Sequence, residues 1–124
     1  MGTEMKHKEL AGGRWWRMSV CEQMGNIGSE VSRSLKWKER DPAIFRKALE
    51  RSLELFDLTL ADPRHRGSTA RLREIARARE VYLDYLVGPN AYASTEASLR
   101  RYFDIFALGA ARARASGAAA TRGN

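Results

Sequence analysis

Apolar residues along this chain recur at three- and four-residue steps, with no sustained alternation, a pattern that predicts helices and no sheet. The first stripe is Val20, Met24, Ile27, Val31 and Leu35. It opens on Ser19 with Glu22 three residues on, the spacing of a capping box, in which each side chain satisfies an unpaired amide at the helix start. Beside the stripe runs a strip of small residues, Gly25, Gly28, Ser29 and Ser32. Each glycine costs a helix about 1 kcal/mol relative to alanine. The strip therefore marks a close approach, by another helix or by a ligand.

A second helix is predicted from Asp41-Pro42, an N-cap acid followed by a proline whose missing N–H the first turn does not need. Phe45, Ala48, Leu49, Leu53, Leu55, Phe56, Leu58 and Leu60 give it a wide apolar surface, fitting a central helix, and Asp62-Pro63 ends it. A third helix starts near Ser68 or Thr69 and runs to Val87, with Leu72, Ile75, Ala76, Tyr82, Leu83 and Leu86 as its stripe and Gly88-Pro89-Asn90 as its break. A fourth is capped near Ser94 or Thr95 and carries Leu99, Tyr102, Phe103, Phe106, Ala107 and Ala110. The connections are short, which favours antiparallel neighbours, so the expected fold is an all-α antiparallel four-helix bundle. A bundle with an exchanged helix in an oligomer gives the same pattern. The expected organisation is a disordered tail over residues 1–13, a four-helix domain over 14–114 and a small-residue disordered tail over 115–124.

Composition narrows the class. The chain has 124 residues, 44% of them apolar, enough for one small core. Lysine and arginine outnumber aspartate and glutamate 22 to 15, giving a formal net charge of +7, which attracts acidic partners. A single cysteine, Cys21, allows no internal disulfide and suits a reducing compartment. No stretch approaches the ~20 apolar residues of a membrane span. No secretory signal pattern opens the chain, so a cytoplasmic location with no membrane partner is expected.

The basic residues are unevenly placed. Arginine exceeds lysine 17 to 5, and six arginines fall between residues 64 and 79. A guanidinium donates two parallel hydrogen bonds, a geometry that suits phosphate and carboxylate. Arg64, Arg66, Arg71, Arg73 and Arg77 are therefore candidate nucleic-acid contacts. Arg66, Arg73 and Arg77 share a face if the third helix extends that far back. Lys36, Lys38 and Arg40, around Trp37, form a second candidate group. Arg79 falls among Ile75, Tyr82 and Leu83, and is expected to be buried in a structural ion pair with Glu30, Glu54 or Asp57. Trp15, Trp16 and Trp37 fit either core or contact roles.

Catalytic signals are sparse. Glu4 and His7 give one Glu-x-x-His spacing in the N-terminal tail, where di-iron bundles use two. A helical RNase pair would need an arginine five to seven residues before a histidine, but Leu58, Thr59 and Leu60 occupy those positions ahead of His65. No catalytic residue, metal ligand or cofactor is expected.

Four segments are distinctive: EQMGNIGSEVSRSLKWKER (22–40), ALERSLELFDLTLADPR (48–64), REIARAREVYLDYLVG (73–88) and SLRRYFDIFALGAAR (98–112). Together they resemble a family of small bacterial helical proteins associated with reverse-transcriptase loci, akin to the accessory proteins of diversity-generating retroelements. The resemblance implies a non-enzymatic partner of a reverse transcriptase, of its template RNA, or of both. It also suggests a homo-oligomer, since a better-known accessory protein of those elements is a ring-forming basic bundle. The expected function is thus a basic helical accessory protein binding nucleic acid, RNA rather than DNA. The alternatives are a protein-interaction or scaffold module whose arginines meet acidic side chains, and a helical RNase of unrecognised type.

Overall fold

The computed structural model describes residues 13–122, and helices are the regular structure found among them. Residues 13–15 are helical, and four longer α-helices follow in order: α1 (Val20–Trp37), α2 (Pro42–Leu60), α3 (Thr69–Leu86) and α4 (Glu96–Arg122). A 3-10 turn, Pro63–Gly67, separates α2 from α3.

Local chemistry sets the boundaries. Ser19 accepts from the Glu22 amide at 3.1 Å, and the Glu22 carboxylate reaches back to the Ser19 amide, completing the capping box. Asp41 Oδ1 accepts from the Ala43 and Ile44 amides ahead of α2. Ser68 caps α3 through the Arg71 amide, and Thr95 caps α4 through the Ser98 amide. Between α3 and α4, the Asp84 carboxylate accepts from the Ala91 and Tyr92 amides and holds the loop against the helix end.

The core draws on every helix: Met24, Ile27 and Val31 of α1, Leu55 and Phe56 of α2, Ile75 and Tyr82 of α3, and Leu99 and Phe103 of α4. Phe56 lies 6.2 Å from both Tyr82 and Phe103, centroid to centroid. The Tyr82 hydroxyl is shared between Ser34 Oγ at 2.8 Å and Ser52 Oγ at 2.9 Å, so its polar atom is satisfied where α1, α2 and α3 meet. Burial pushes the Tyr82 hydroxyl above its ordinary pKa.

The helix that both α2 and α4 pack along is α1, rather than α2 as the broad apolar surface of α2 suggested. The small-residue strip explains this. A Cβ on Gly25 would lie 3.2 Å from Ala107 Cα, one on Gly28 would lie 2.8 Å from Phe103 Cβ, and one on Gly109 would lie 3.4 Å from Cys21 Sγ. The glycines therefore serve helix packing: α4 occupies the groove they leave.

The tryptophans ahead of α1 resolve in favour of packing. Trp15 is buried and donates from Nε1 to Thr59 Oγ1 at 2.8 Å. Half-buried Trp16 donates to the Leu58 carbonyl at 2.8 Å. Both tie the segment before α1 to the end of α2.

Three readings shift. In α3 the buried positions are Ile75, Ala78, Tyr82 and Leu86, and Ala76 faces solvent. Arg79 is then at the stripe's margin, half-buried rather than buried. Its Nε stands 3.5 Å from Asp57 Oδ1, with 35% of the arginine side chain and 67% of the aspartate side chain exposed. So open a pair contributes on the order of 1 kcal/mol or less, not the larger amount a buried pair would carry. Finally, α4 continues to Arg122 through the segment read as a tail, because alanine, its commonest residue, is the strongest helix former. Glu4 and His7 lie outside the described residues, as does the N-terminal tail up to residue 12.

Candidate nucleic-acid interface

Basic side chains gather at two places. The first lies where the C-terminal end of α1 meets the end of α3 and the start of α4. Trp37 closes α1, and its carbonyl accepts from the Arg40 and Asp41 amides in the tight turn into α2. The last turn of α1 presents Lys36, and the turn after it presents Lys38 and Arg40, beside Arg100 of α4 around a cavity of about 470 Å³ shared with Tyr85, Glu39 and Glu96. Four cations thus face two acids. The Lys38 ammonium stands 5.0 Å from the Tyr85 ring centroid and the Lys36 ammonium 5.3 Å from that of Trp37, within cation–π range. Arg100 is held in place by Glu96 Oε1 at 2.9 Å and by the Ser32 carbonyl at 3.3 Å. Cations around an open cavity lined by one aromatic ring, that of Tyr85, can neutralise phosphates and stack a base.

The second place is the 3-10 turn with the outer side of α3. Arg66 is exposed on the turn, and α3 begins only at Thr69, so Arg66 does not share the helical face of Arg73 and Arg77. Arg71, Arg73 and Arg77 are exposed on α3, and Arg77 rests 6.0 Å from the Tyr92 ring. Along α3, Arg73 and Tyr85 are twelve residues apart, roughly 18 Å. The two basic groups therefore border opposite ends of one helix.

Arg64 differs from the other candidates because its guanidinium is already engaged. It donates to Asp62 Oδ2 at 2.6 Å and to the Met18 carbonyl. Its partner belongs to a buried polar cluster. Asp62 is fully buried, caps the 3-10 turn through the Arg64 amide, and accepts from Gln23 Nε2 at 2.9 Å. Burial pushes the Asp62 carboxyl up, but the hydrogen bonds from Arg64 and Gln23 outweigh it and hold the pKa at about 2. Gln23 Nε2 also donates to the Trp15 carbonyl, which leaves Gln23 Oε1 as the acceptor facing His65 Nε2 at 2.8 Å. His65 must then carry its proton on Nε2, and its buried Nδ1 has no partner. Burial pushes the His65 pKa down, and Arg71 and Arg64 add to the effect while Asp62 opposes it.

This depression has a sign for stability. The unfolded chain takes up the proton near pH 6.5 and the folded chain only below that, so the contribution is complete above pH ~6.5 and falls as the pH drops beneath it. The melting temperature is expected to decline between about pH 7 and pH 5 in the wild type and to stay flatter in His65→Gln, whose amide can donate to Gln23 without titrating. Thermal melts of the two proteins across that range are the check, and parallel profiles would remove His65 as the source.

Sequence reading found Lys36, Lys38 and Arg40 because they are close in the chain, and did not join Arg100 of the fourth helix to them. It missed the Gln23–Asp62–His65 cluster, whose partners are about forty residues apart, and took Asp62 only as a helix end. Among the described residues, no three of His, Cys, Asp and Glu converge as metal ligands would, and no helix is long and apolar enough to cross a membrane. The chain matches no family model, no curated protein and no solved structure.

Proposed function

We propose that this protein is a non-enzymatic accessory protein that folds as an antiparallel four-helix bundle and binds nucleic acid, RNA in preference to DNA, through its two basic groups. The observation that carries the reading is the open cavity with Lys36, Lys38, Arg40 and Arg100 around Tyr85. Four cations against two acids leave a local positive excess that neighbouring side chains do not absorb. The bundle topology is supported by the order of interhelical contacts. Along α1, Gln23 and Ser34 meet Asp62 and, through Tyr82, Ser52, so α2 runs the other way. Gly25 and Gly28 likewise meet Ala107 and Phe103 in reverse order on α4. The resemblance to reverse-transcriptase-associated proteins supplies the biological setting, a cytoplasmic complex of a polymerase and its RNA.

The test is an anisotropy titration of a generic single-stranded RNA against the full chain at several salt concentrations. Wild-type affinity should fall linearly with salt on a log–log plot, and each lost phosphate contact should reduce the slope by about 0.7. The triple change Lys36→Ala, Lys38→Ala and Arg40→Ala should lower the slope by roughly 2 and weaken unrelated sequences alike, since phosphate contacts carry no sequence information. Arg66→Ala, Arg73→Ala and Arg77→Ala together should act similarly, with helicity retained because these side chains are exposed. No affinity at low salt in the wild type would overturn the reading in favour of a protein-interaction module.

A further inference from the structure

The surface of α2 departs from the basic character of the chain. A groove of about 630 Å³ is floored by Trp16, Leu53, Leu58 and Ala61 and bordered by three acids, Glu50, Glu54 and Asp57. Glu50, Glu54, Asp57 and Ala61 follow helical spacing, so they form one row. Within the chain these acids are weakly committed. Glu54 pairs with exposed Arg51 at 3.3 Å and Asp57 with half-buried Arg79 at 3.5 Å, and Glu50 makes no ion pair among the described residues. Exposed pairs of this kind are worth little and give way to a better-placed cation.

A complementary surface stands on α4. Arg101, Ile105, Leu108 and Arg112 are all exposed, Ile105 to 63% and Leu108 to 51%, which is unusual for large apolar residues in a chain this polar. At 100° per residue the four fall within an arc of about 60°, forming one stripe with apolar residues between two arginines. Asp104 borders the stripe on one side. The stripe from Arg101 to Arg112 and the row from Glu50 to Ala61 each span eleven residue steps, roughly 16 Å. Because Ile105 and Leu108 are exposed, the stripe does not cover the groove of its own chain.

We infer that the α2 groove receives the α4 stripe of a second copy of this chain, with Ile105 and Leu108 against Trp16, Leu53 and Leu58, and Arg101 and Arg112 against the three carboxylates. The two surfaces are different, so the contact is heterologous: an open assembly of any size keeps one free groove at one end and one free stripe at the other, and it grows until it closes as a ring or continues as a chain. The inference does not rest on nucleic-acid binding, since none of these residues belongs to the two basic groups above.

Sedimentation velocity of the full chain over a range of concentrations and salt tests it. The wild type should form species larger than a dimer. A stripe variant, Ile105→Glu with Leu108→Glu, and a charge-neutral groove variant, Glu50→Gln with Glu54→Gln and Asp57→Asn, should each stay monomeric with unchanged circular dichroism. Mixed in equal amounts, the two should form a dimer and nothing larger, because only the intact groove of one and the intact stripe of the other can meet. A monomeric wild type at hundreds of micromolar, assembly that persists in both variants, or a mixture that stays monomeric would each overturn the inference. If the wild type stays monomeric yet binds a basic amphipathic peptide in the groove, the occupant is another protein and self-association is refuted.

Discussion

Asp62→Ala is expected to reduce the unfolding free energy by about 3 kcal/mol near neutral pH, through stranded polar groups more than through lost packing. The carboxylate is fully buried and serves three partners at once: Gln23 Nε2, the Arg64 amide and the Arg64 guanidinium. Alanine would leave the first buried without a full set of acceptors, uncap the 3-10 turn, and leave Arg64 with the Met18 carbonyl alone. The effect would also pass to His65, because Gln23 would no longer be fixed with Oε1 toward the imidazole. The pH dependence identifies the cause. A carboxyl held at about 2 in the fold, below its ordinary 3.8, gives stability that is present above pH ~4 and lost as the pH falls through about 2. The gap between wild type and Asp62→Ala should therefore be full near pH 7 and shrink by on the order of 2 kcal/mol near pH 2. Urea denaturation at both pH values measures this, and a gap that does not change with pH would mean that the charge of Asp62 is not what stabilises the turn.

What the sequence disclosed follows the range of each interaction. The capping box at Ser19, the Asp41-Pro42 start and the Ser68 cap are made within three residues, so they could be read directly and recur in the structure. The α3 register was less secure, because Ala76 and Ala78 are the same residue type two positions apart and differ only in what packs against them. That is why Arg79 falls at the margin of the stripe, beside an exposed Asp57, rather than in the core. The small-residue strip of α1 announced a close approach, but only the fold identifies Phe103 and Ala107 as what approaches. In the candidate interface, Lys36, Lys38 and Arg40 were visible as one run. Arg100 and Tyr85 join them from other helices, a juxtaposition that no local pattern encodes. The Gln23–Asp62–His65 cluster was hidden for the same reason, and also because a glutamine in a helix and an aspartate before a proline each have an ordinary local explanation.

Gly28→Val is expected to have the largest effect of any single change to the packing, about 3 kcal/mol or more of lost stability. A Cβ at position 28 would sit 2.8 Å from Phe103 Cβ, well inside the roughly 3.5–4.0 Å at which carbon atoms attract. The obstructing atom is next to the α4 backbone and cannot swing aside as a side-chain tip would, so α4 must move away from α1 or Phe103 must leave a site where it is 2% exposed. A graded series isolates this term. Gly67→Ala meets open space and should be neutral or slightly stabilising. At Gly25→Ala, a new Cβ 3.2 Å from Ala107 Cα sets a modest overlap against about 1 kcal/mol of gained helix propensity, so the net change should be small. In Gly28→Ala the overlap exceeds that gain, and valine adds two further carbons to it. The order of melting temperatures should therefore be Gly67→Ala, Gly25→Ala, Gly28→Ala, Gly28→Val, from highest to lowest. The same displacement reaches the basic cavity, because Arg100 lies one turn before Phe103 on α4 and donates to the Ser32 carbonyl of α1. A Gly28→Val protein that remains folded should thus bind RNA less tightly than wild type although no basic residue has changed. If it melts with the wild type and keeps full RNA affinity, α4 does not dock on α1 through this glycine.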